Sequence, residues 1–204
     1  MQKIKNIIFD LGGVILNIDL KQTELAFAAL GMGNFNAYYT MQSATPLFED
    51  LETGKISPDV FYNEFRKLVE VTLTDEQIRQ AWNALLLGFP AERITWLKEI
   101  SKRYNIYLLS NTNAIHYEAF TKKYRETIED KAFDDLFIKA YYSHIMGLRK
   151  PSKEIFETML KNEDLNAAET LFIDDSEANI KGAKLVGLQT IYLPISKTVL
   201  ELEL

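Results

Sequence analysis

Five short apolar runs, Ile4–Phe9, Ile106–Leu109, Phe137–Tyr142, Thr170–Ile173 and Thr190–Leu193, are separated by segments long enough for helices. Strands that alternate with helices imply an α/β fold, a parallel sheet with helices on both faces. The first run is the most informative. Ile7, Ile8 and Phe9 are continuously apolar, as in a strand covered on both sides, and Gly12 and Gly13 stop it abruptly. Asp10 is therefore expected at a carboxyl edge, where open α/β sheets bind ligands.

The interval between the first two runs is too long for one crossover. It reads as helices only: Thr23–Leu30, Pro46–Glu52, Pro58–Val69, Asp75–Leu87, then Ala91–Tyr104 leading back to the sheet. Pro58 follows Ser57 as position N1 follows its cap, and Thr74 with Gln77 forms a capping-box pattern. The expected organisation is a sheet domain of residues 1–16 and 93–204, with a helical insert at 17–92.

Composition removes several function classes. A net charge of −6, with no basic run beyond pairs such as Lys122–Lys123, argues against a nucleic-acid or anionic-membrane partner. No segment approaches the ~20 apolar residues of a membrane span, and the first residues lead straight into a strand without a signal peptide. A cytoplasmic monomer or weak homodimer is the expectation. The absence of cysteine excludes disulfides, thiol chemistry and cysteine-ligated zinc.

Three further stretches bring polar groups to strand ends or helix starts. In LLSNTN, Ser110 and Asn111 follow an apolar run, where a hydroxyl and free backbone N–H groups can meet an anion. In GLRKP, Lys150 precedes Pro151, with Ser152 placed to cap the next helix. In LFIDDSEANIKGA, Asp174 and Asp175 stand side by side after Leu171–Ile173. Adjacent carboxylates repel unless a cation or shared proton compensates.

Each feature alone has an ordinary explanation. Asp10 or Asp174 is as readily a cap or turn residue, Ser110 a turn residue and Lys150 a solvated charge. His116 and His144 have no partner at ligand or triad spacing and read as structural or exposed. Gly12 and Gly13 lack the third glycine of a dinucleotide fingerprint and the lysine of a P-loop. The conjunction is what points to chemistry: Asp10, Ser110, Lys150 and Asp174/Asp175 occur in order at one expected edge.

In that order the sequence resembles the haloacid dehalogenase superfamily over essentially its whole length. FDLGGV matches its first motif, LLSNT its second, the lysine of GLRKP its third and FIDDSEANIKGA its fourth. FDLGGVILNID, the GKIS segment and LSNTN look most like the bacterial glucose-1-phosphatase subgroup. The resemblance implies a Rossmann-like core with a helical cap between the first two motifs. It also implies an Mg²⁺-dependent phosphatase acting on small phosphorylated metabolites, sugar phosphates above all, through an aspartyl-phosphate on Asp10. Asp10, the Gly12 carbonyl, Asp174 and Asp175 would hold the metal. Ser110 and Asn111 would bind phosphate, and Lys150 would bridge phosphate and Asp10.

One departure stands out. Typical phosphatases of the superfamily carry a second aspartate two residues after the nucleophile as general acid and base, whereas here that residue is Gly12, a departure that the resembled glucose-1-phosphatase subgroup shares. Its work would pass to Glu49, Glu52 or Asp19, or the substrate would be a sugar 1-phosphate whose leaving group needs little protonation. A metal-independent 2-haloacid dehalogenase and a weakly active or noncatalytic binding protein of the same fold are the alternatives. Both late aspartates favour a cation. Substrate selection falls to the cap, with Phe48, Glu49, Glu52, Gly54, Lys55, Tyr38 and Tyr39 as candidates, although aromatic residues there are more often the cap's own core.

Overall fold

The computed structural model describes residues 3–39, 45–128 and 132–204. Five parallel strands form the sheet: β1 (Asn6–Phe9), β4 (Asn105–Ser110), β5 (Lys139–Tyr142), β6 (Thr170–Asp174) and β7 (Gln189–Tyr192), in the order β5-β4-β1-β6-β7. β1 lies at the centre, with Phe9 in register with Leu108 on one side and Ile173 on the other.

Both faces of the sheet are covered, which is why its central strands are apolar without alternation. Ile7, Phe9, Ile106, Leu108, Leu171 and Ile173 pack with Leu97 of α5 (Ala91–Ile100) and Phe120 of α6 (Ala114–Thr127). Ile8, Tyr107, Leu109 and Phe172 face the other way, onto Ile155, Phe156 and Met159 of α8 (Lys153–Asn162) and Ile180 and Ala183 of α9 (Glu177–Leu185). A four-residue helix, α7 (Ser143–Met146), follows β5.

Between β1 and α5 the chain leaves the sheet through β2 (Asn17–Ile18) and returns through β3 (Leu86–Gly88), which pair antiparallel. The excursion carries α1 (Leu20–Ala29), α2 (Pro46–Glu52), α3 (Pro58–Leu68) and α4 (Asp75–Asn83). These helices bury a cluster of their own that includes Phe27, Phe35, Phe48, Phe61, Phe65 and Trp82. Ser57 caps α3, and the Thr74–Gln77 capping box opens α4. Ser152 occupies the N-cap position of α8 without a side-chain cap bond.

The structure differs from the sequence reading at the insert's ends. Helix α4 stops at Asn83, and Leu85, Leu86 and Phe89 pack in the sheet's cluster, inside the stretch 17–92 read as insert. Phe48 is 1% exposed within the insert's own core and does not line a cleft. Among the described residues, no helix is long and apolar enough to cross a membrane.

Candidate active site

Asp10, Ser110, Asp174 and Asp175 all stand at the carboxyl ends of the three adjacent strands β4, β1 and β6, beside the loop that carries Lys150. The Lys150 ammonium bridges them. Its Nζ lies 2.7 Å from Asp10 Oδ1 and 2.7 Å from Asp174 Oδ2, and the residue is 1% exposed. Its Nζ also lies over the Phe172 ring, 5.3 Å from the centroid. Lys150 is thus a buried charge between two carboxylates and not a solvated lysine.

Asp174 has several donors besides Lys150. Its Oδ1 accepts from the Ser176 N–H at 2.7 Å, and Asn179 Nδ2 donates to both of its oxygens at 3.0 Å. Asn179 lies in the first turn of α9, five residues after Asp174, and its type carries no signal in the sequence apart from that spacing. Asp10, Asp174 and Asp175 each present an oxygen to a common region, all within 4.8 Å of one another.

Three carboxylates against one ammonium leave this cluster short of positive charge. Burial pushes the Asp10 carboxyl up to about 7, against the pull of Lys150 and with added repulsion from Asp174 and Asp175. Burial and the Asp174 charge push Asp175 up to about 6. Burial works against the charge of Lys150, yet Asp10 and Asp174 hold it above the ordinary lysine value. A small divalent cation taking hard oxygen ligands fits such a set.

Ser110 is 2% exposed at the end of β4, and Asn111 follows it. The Asn111 side chain turns to the Lys150 backbone, accepting from its N–H at 2.8 Å and donating to its carbonyl at 2.9 Å. The sequence reading considered only the backbone of Asn111. Gly13 sits at φ +74°, and a Cβ there would overlap the Asp175 carboxylate. The second glycine is therefore what lets Asp175 reach the cluster.

Above this edge the insert meets the core through Arg149. Its Nη1 lies 3.1 Å from Glu49 Oε1 and its Nη2 lies 3.0 Å from Glu52 Oε2, while Tyr39 OH donates to Glu52 Oε1 at 2.9 Å. In the sequence Arg149 is marked only by its position beside Lys150. Burial pushes the Glu52 carboxyl up against the influence of Arg149 and Tyr39. Glu49 is exposed. Asp19 caps α1, and bonds from Gln22 and the Lys21 N–H hold its carboxyl below the usual range. Gly54 abuts the His144 carbonyl, Lys55 is exposed and pairs with Asp50 at 3.2 Å, and Tyr38 bonds to the Leu68 carbonyl. His116 is buried, with Nδ1 2.8 Å from Asn83 Oδ1 and its ring 4.5 Å from that of Trp82.

A five-stranded parallel sheet with a lysine-bridged carboxylate cluster at its carboxyl edge defines a Rossmann-like α/β core with an acidic site at that edge. The sequence pattern of haloacid dehalogenase-like hydrolases matches residues 4–187, and the chain belongs to that family. It is 35% identical over 187 residues to a D-ribitol-5-phosphate phosphatase of Bacteroides thetaiotaomicron, spanning 92% of this chain and 90% of the relative. A sesquiterpene phosphatase of Aspergillus oryzae is 31% identical over 196 residues, spanning 93% and 89%. A crystal structure of a haloacid dehalogenase family enzyme from Bacteroides thetaiotaomicron, in complex with magnesium and inorganic phosphate, superposes with a TM-score of 0.85. That enzyme is 33% identical, and the match covers 95% of this chain and 96% of the other.

Proposed function

We propose that the protein is an Mg²⁺-dependent phosphomonoesterase that hydrolyses small sugar or sugar-alcohol phosphates through a phosphorylated Asp10. The carrying observation is Lys150 held between Asp10 and Asp174, with Asp175 completing the carboxylate cluster. The phosphatase relatives of similar length and the magnesium and phosphate complex of a family member support it.

In this reading Asp10 attacks phosphorus, forming an O–P bond as the bond to the leaving oxygen breaks. Water then attacks the phosphorus of the acyl phosphate, giving a proton back to the group that protonated the leaving oxygen, releasing inorganic phosphate and regenerating the Asp10 carboxylate. Lys150 bridges Asp10 and the phosphoryl group, while the Ser110 hydroxyl and Asn111 N–H bind phosphoryl oxygens where negative charge develops. Asp10, the Gly12 carbonyl, Asp174 and Asp175 would hold Mg²⁺. When bound, the ion supplies the positive charge that lets an anionic nucleophile approach an anionic ester.

The helical insert serves as a cap, and it supplies the proton that Gly12 cannot. Of the three carboxyls considered, Asp19 is held below its usual range and Glu49 is exposed, whereas Glu52 is buried and its carboxyl is pushed up by that burial against the pull of Arg149 and Tyr39. Glu52 therefore protonates the leaving oxygen and contacts the substrate. The paired Asp174 and Asp175 disfavour a metal-independent dehalogenase, which has no use for the second carboxylate.

The test is a panel of phosphomonoesters, with and without Mg²⁺, spanning sugar 1-phosphates, sugar 6-phosphates and pentitol 5-phosphates. Turnover that depends on the metal is the expected result. Failure to hydrolyse any member with Mg²⁺ present would overturn the reading.

A further inference from the structure

The loop after β4 is stitched to its neighbours by two side chains that each bond both backbone polar groups of one residue. Ser143 Oγ donates to the Thr112 carbonyl at 2.8 Å and accepts from the Thr112 N–H at 2.9 Å. Asn111 makes the corresponding pair of bonds with Lys150, at 2.9 and 2.8 Å. A primary amide bonded to both polar groups of one residue fixes separation and orientation together, because its donor and acceptor lie in one plane.

The residue gripped by Asn111 is the one whose side chain bridges the carboxylates. Lys150 is 1% exposed, and its Nζ reaches Asp10 and Asp174 at 2.7 Å each. A four-carbon stem is flexible in itself. Its ammonium is placed accurately only if the backbone carrying it is fixed, and that backbone lies in a loop, not a strand.

We propose that the Asn111 side chain is a positioning residue for Lys150: it holds the lysine backbone in register with β4, and so sets where the ammonium stands relative to Asp10. This is separate from any contact between the Asn111 N–H and phosphate, since alanine keeps the N–H and removes the tie. The catalytic consequence rests on the phosphatase reading; the tie does not. Loss of it shifts the ammonium from the path of the phosphoryl group, and displacements on the order of 1 Å can cost up to about 10²-fold in rate.

The experiment uses the full chain labelled with ¹⁵N-lysine and free of Mg²⁺, with the Lys150 ammonium resonance assigned by its loss in Lys150→Arg. Asn111→Ala should shift or broaden that resonance, whereas Ser143→Ala, which loosens the same loop elsewhere, should leave it in place. With Mg²⁺ and a substrate turned over by the wild type, Asn111→Ala should lower kcat by roughly 10- to 10²-fold. In a Lys150→Arg background it should have no further effect. An unmoved Lys150 resonance in folded Asn111→Ala, or an equal shift in Ser143→Ala, would overturn the proposal. Should Asn111→Ala fail to fold, Asn111→Asp keeps the acceptor and loses the donor; an unshifted resonance there is equally fatal. A wild type that turns over no phosphomonoester defeats the phosphatase reading, while the ammonium resonance still decides the tie.

Discussion

Gly13 and the Asp175 carboxylate compete for one space: a methyl group on Gly13 would overlap that carboxylate, and the backbone there lies at φ +74°. Gly12 is different, because its Cβ would meet the Ile18 side chain, with Cδ1 at 2.9 Å, and its φ lies outside the left-handed region. Gly13→Ala should cost at least about 1 kcal/mol from backbone strain and weaken Mg²⁺ binding through Asp175. Gly12→Asp should fold after a small movement of Ile18. Thermal unfolding with an Mg²⁺ titration checks both, and equal behaviour of the two variants would contradict the distinction.

Asp174 and Asp175 should differ in weight, the first mattering more to the fold and the second more to the metal. Asp174 is completely buried and committed to Lys150, Ser176 and Asn179. Asp174→Ala should destabilise the fold by about 3–5 kcal/mol, as when a buried pair loses one partner. Asp175→Ala should leave stability nearer to wild type and weaken Mg²⁺ affinity more. Calorimetric titration and denaturant unfolding measure the two effects. Undiminished turnover after EDTA treatment would remove the metal from the mechanism altogether.

Asp10→Asn should abolish turnover while the chain stays folded, since the amide keeps the shape and loses the nucleophilic charge. Acid quenching of the wild type with labelled substrate should trap phosphate on Asp10. Covalent label persisting in Asp10→Asn would refute the assignment.

Glu52→Gln should slow the reaction in a way that depends on the leaving group. Loss of a general acid typically costs 10²–10⁴-fold, most where the leaving oxygen is most basic. Alkyl phosphates should therefore suffer more than 4-nitrophenyl phosphate. A uniform loss across leaving groups would show that Glu52 binds or positions and does not protonate.

His116 should make stability fall with acid. Burial holds its imidazole down to about 3, and its Nδ1 meets Asn83. Above its unfolded value of about 6.5 the ring is neutral in both states and pH has no effect through it. Below that value the unfolded chain takes up a proton that the native chain refuses, so stability declines by up to about 1.4 kcal/mol per pH unit. His116→Gln should flatten the unfolding free energy between about pH 6 and 4. An unchanged slope would place the acid sensitivity elsewhere.

Much of the core was readable because its chemistry sits where strands stop. The runs before Asp10 and Asp174 are apolar on every residue, and one sheet covered on both faces explains that pattern. The short strands β2 and β3 were missed because two or three residues carry no period, and Leu85–Leu87 reads equally well as the end of a helix. Phe48 illustrates a different limit, since an aromatic residue in an insert has the same appearance whether it faces a cleft or a core. Arg149 and Asn179 act only through partners distant in the chain or one turn away, contacts that residue type alone does not announce.

The pairing of Asn17 with Gly88 has a kinetic consequence. The central strand must find a neighbour far along the chain: Asn6 and Asn105, joined by a side-chain bond at the start of β1 and β4, are 99 residues apart. Contacts of such separation slow folding. Once β2 and β3 meet, the excursion between them is pinched off, and the ends that must come together are joined by a much shorter effective tether. The helical excursion can thus mature first and act as a shortcut for the sheet. Ile18→Pro, which disturbs the pinch, should slow refolding more than it speeds unfolding; the opposite partition would mean that the sheet assembles before its shortcut exists.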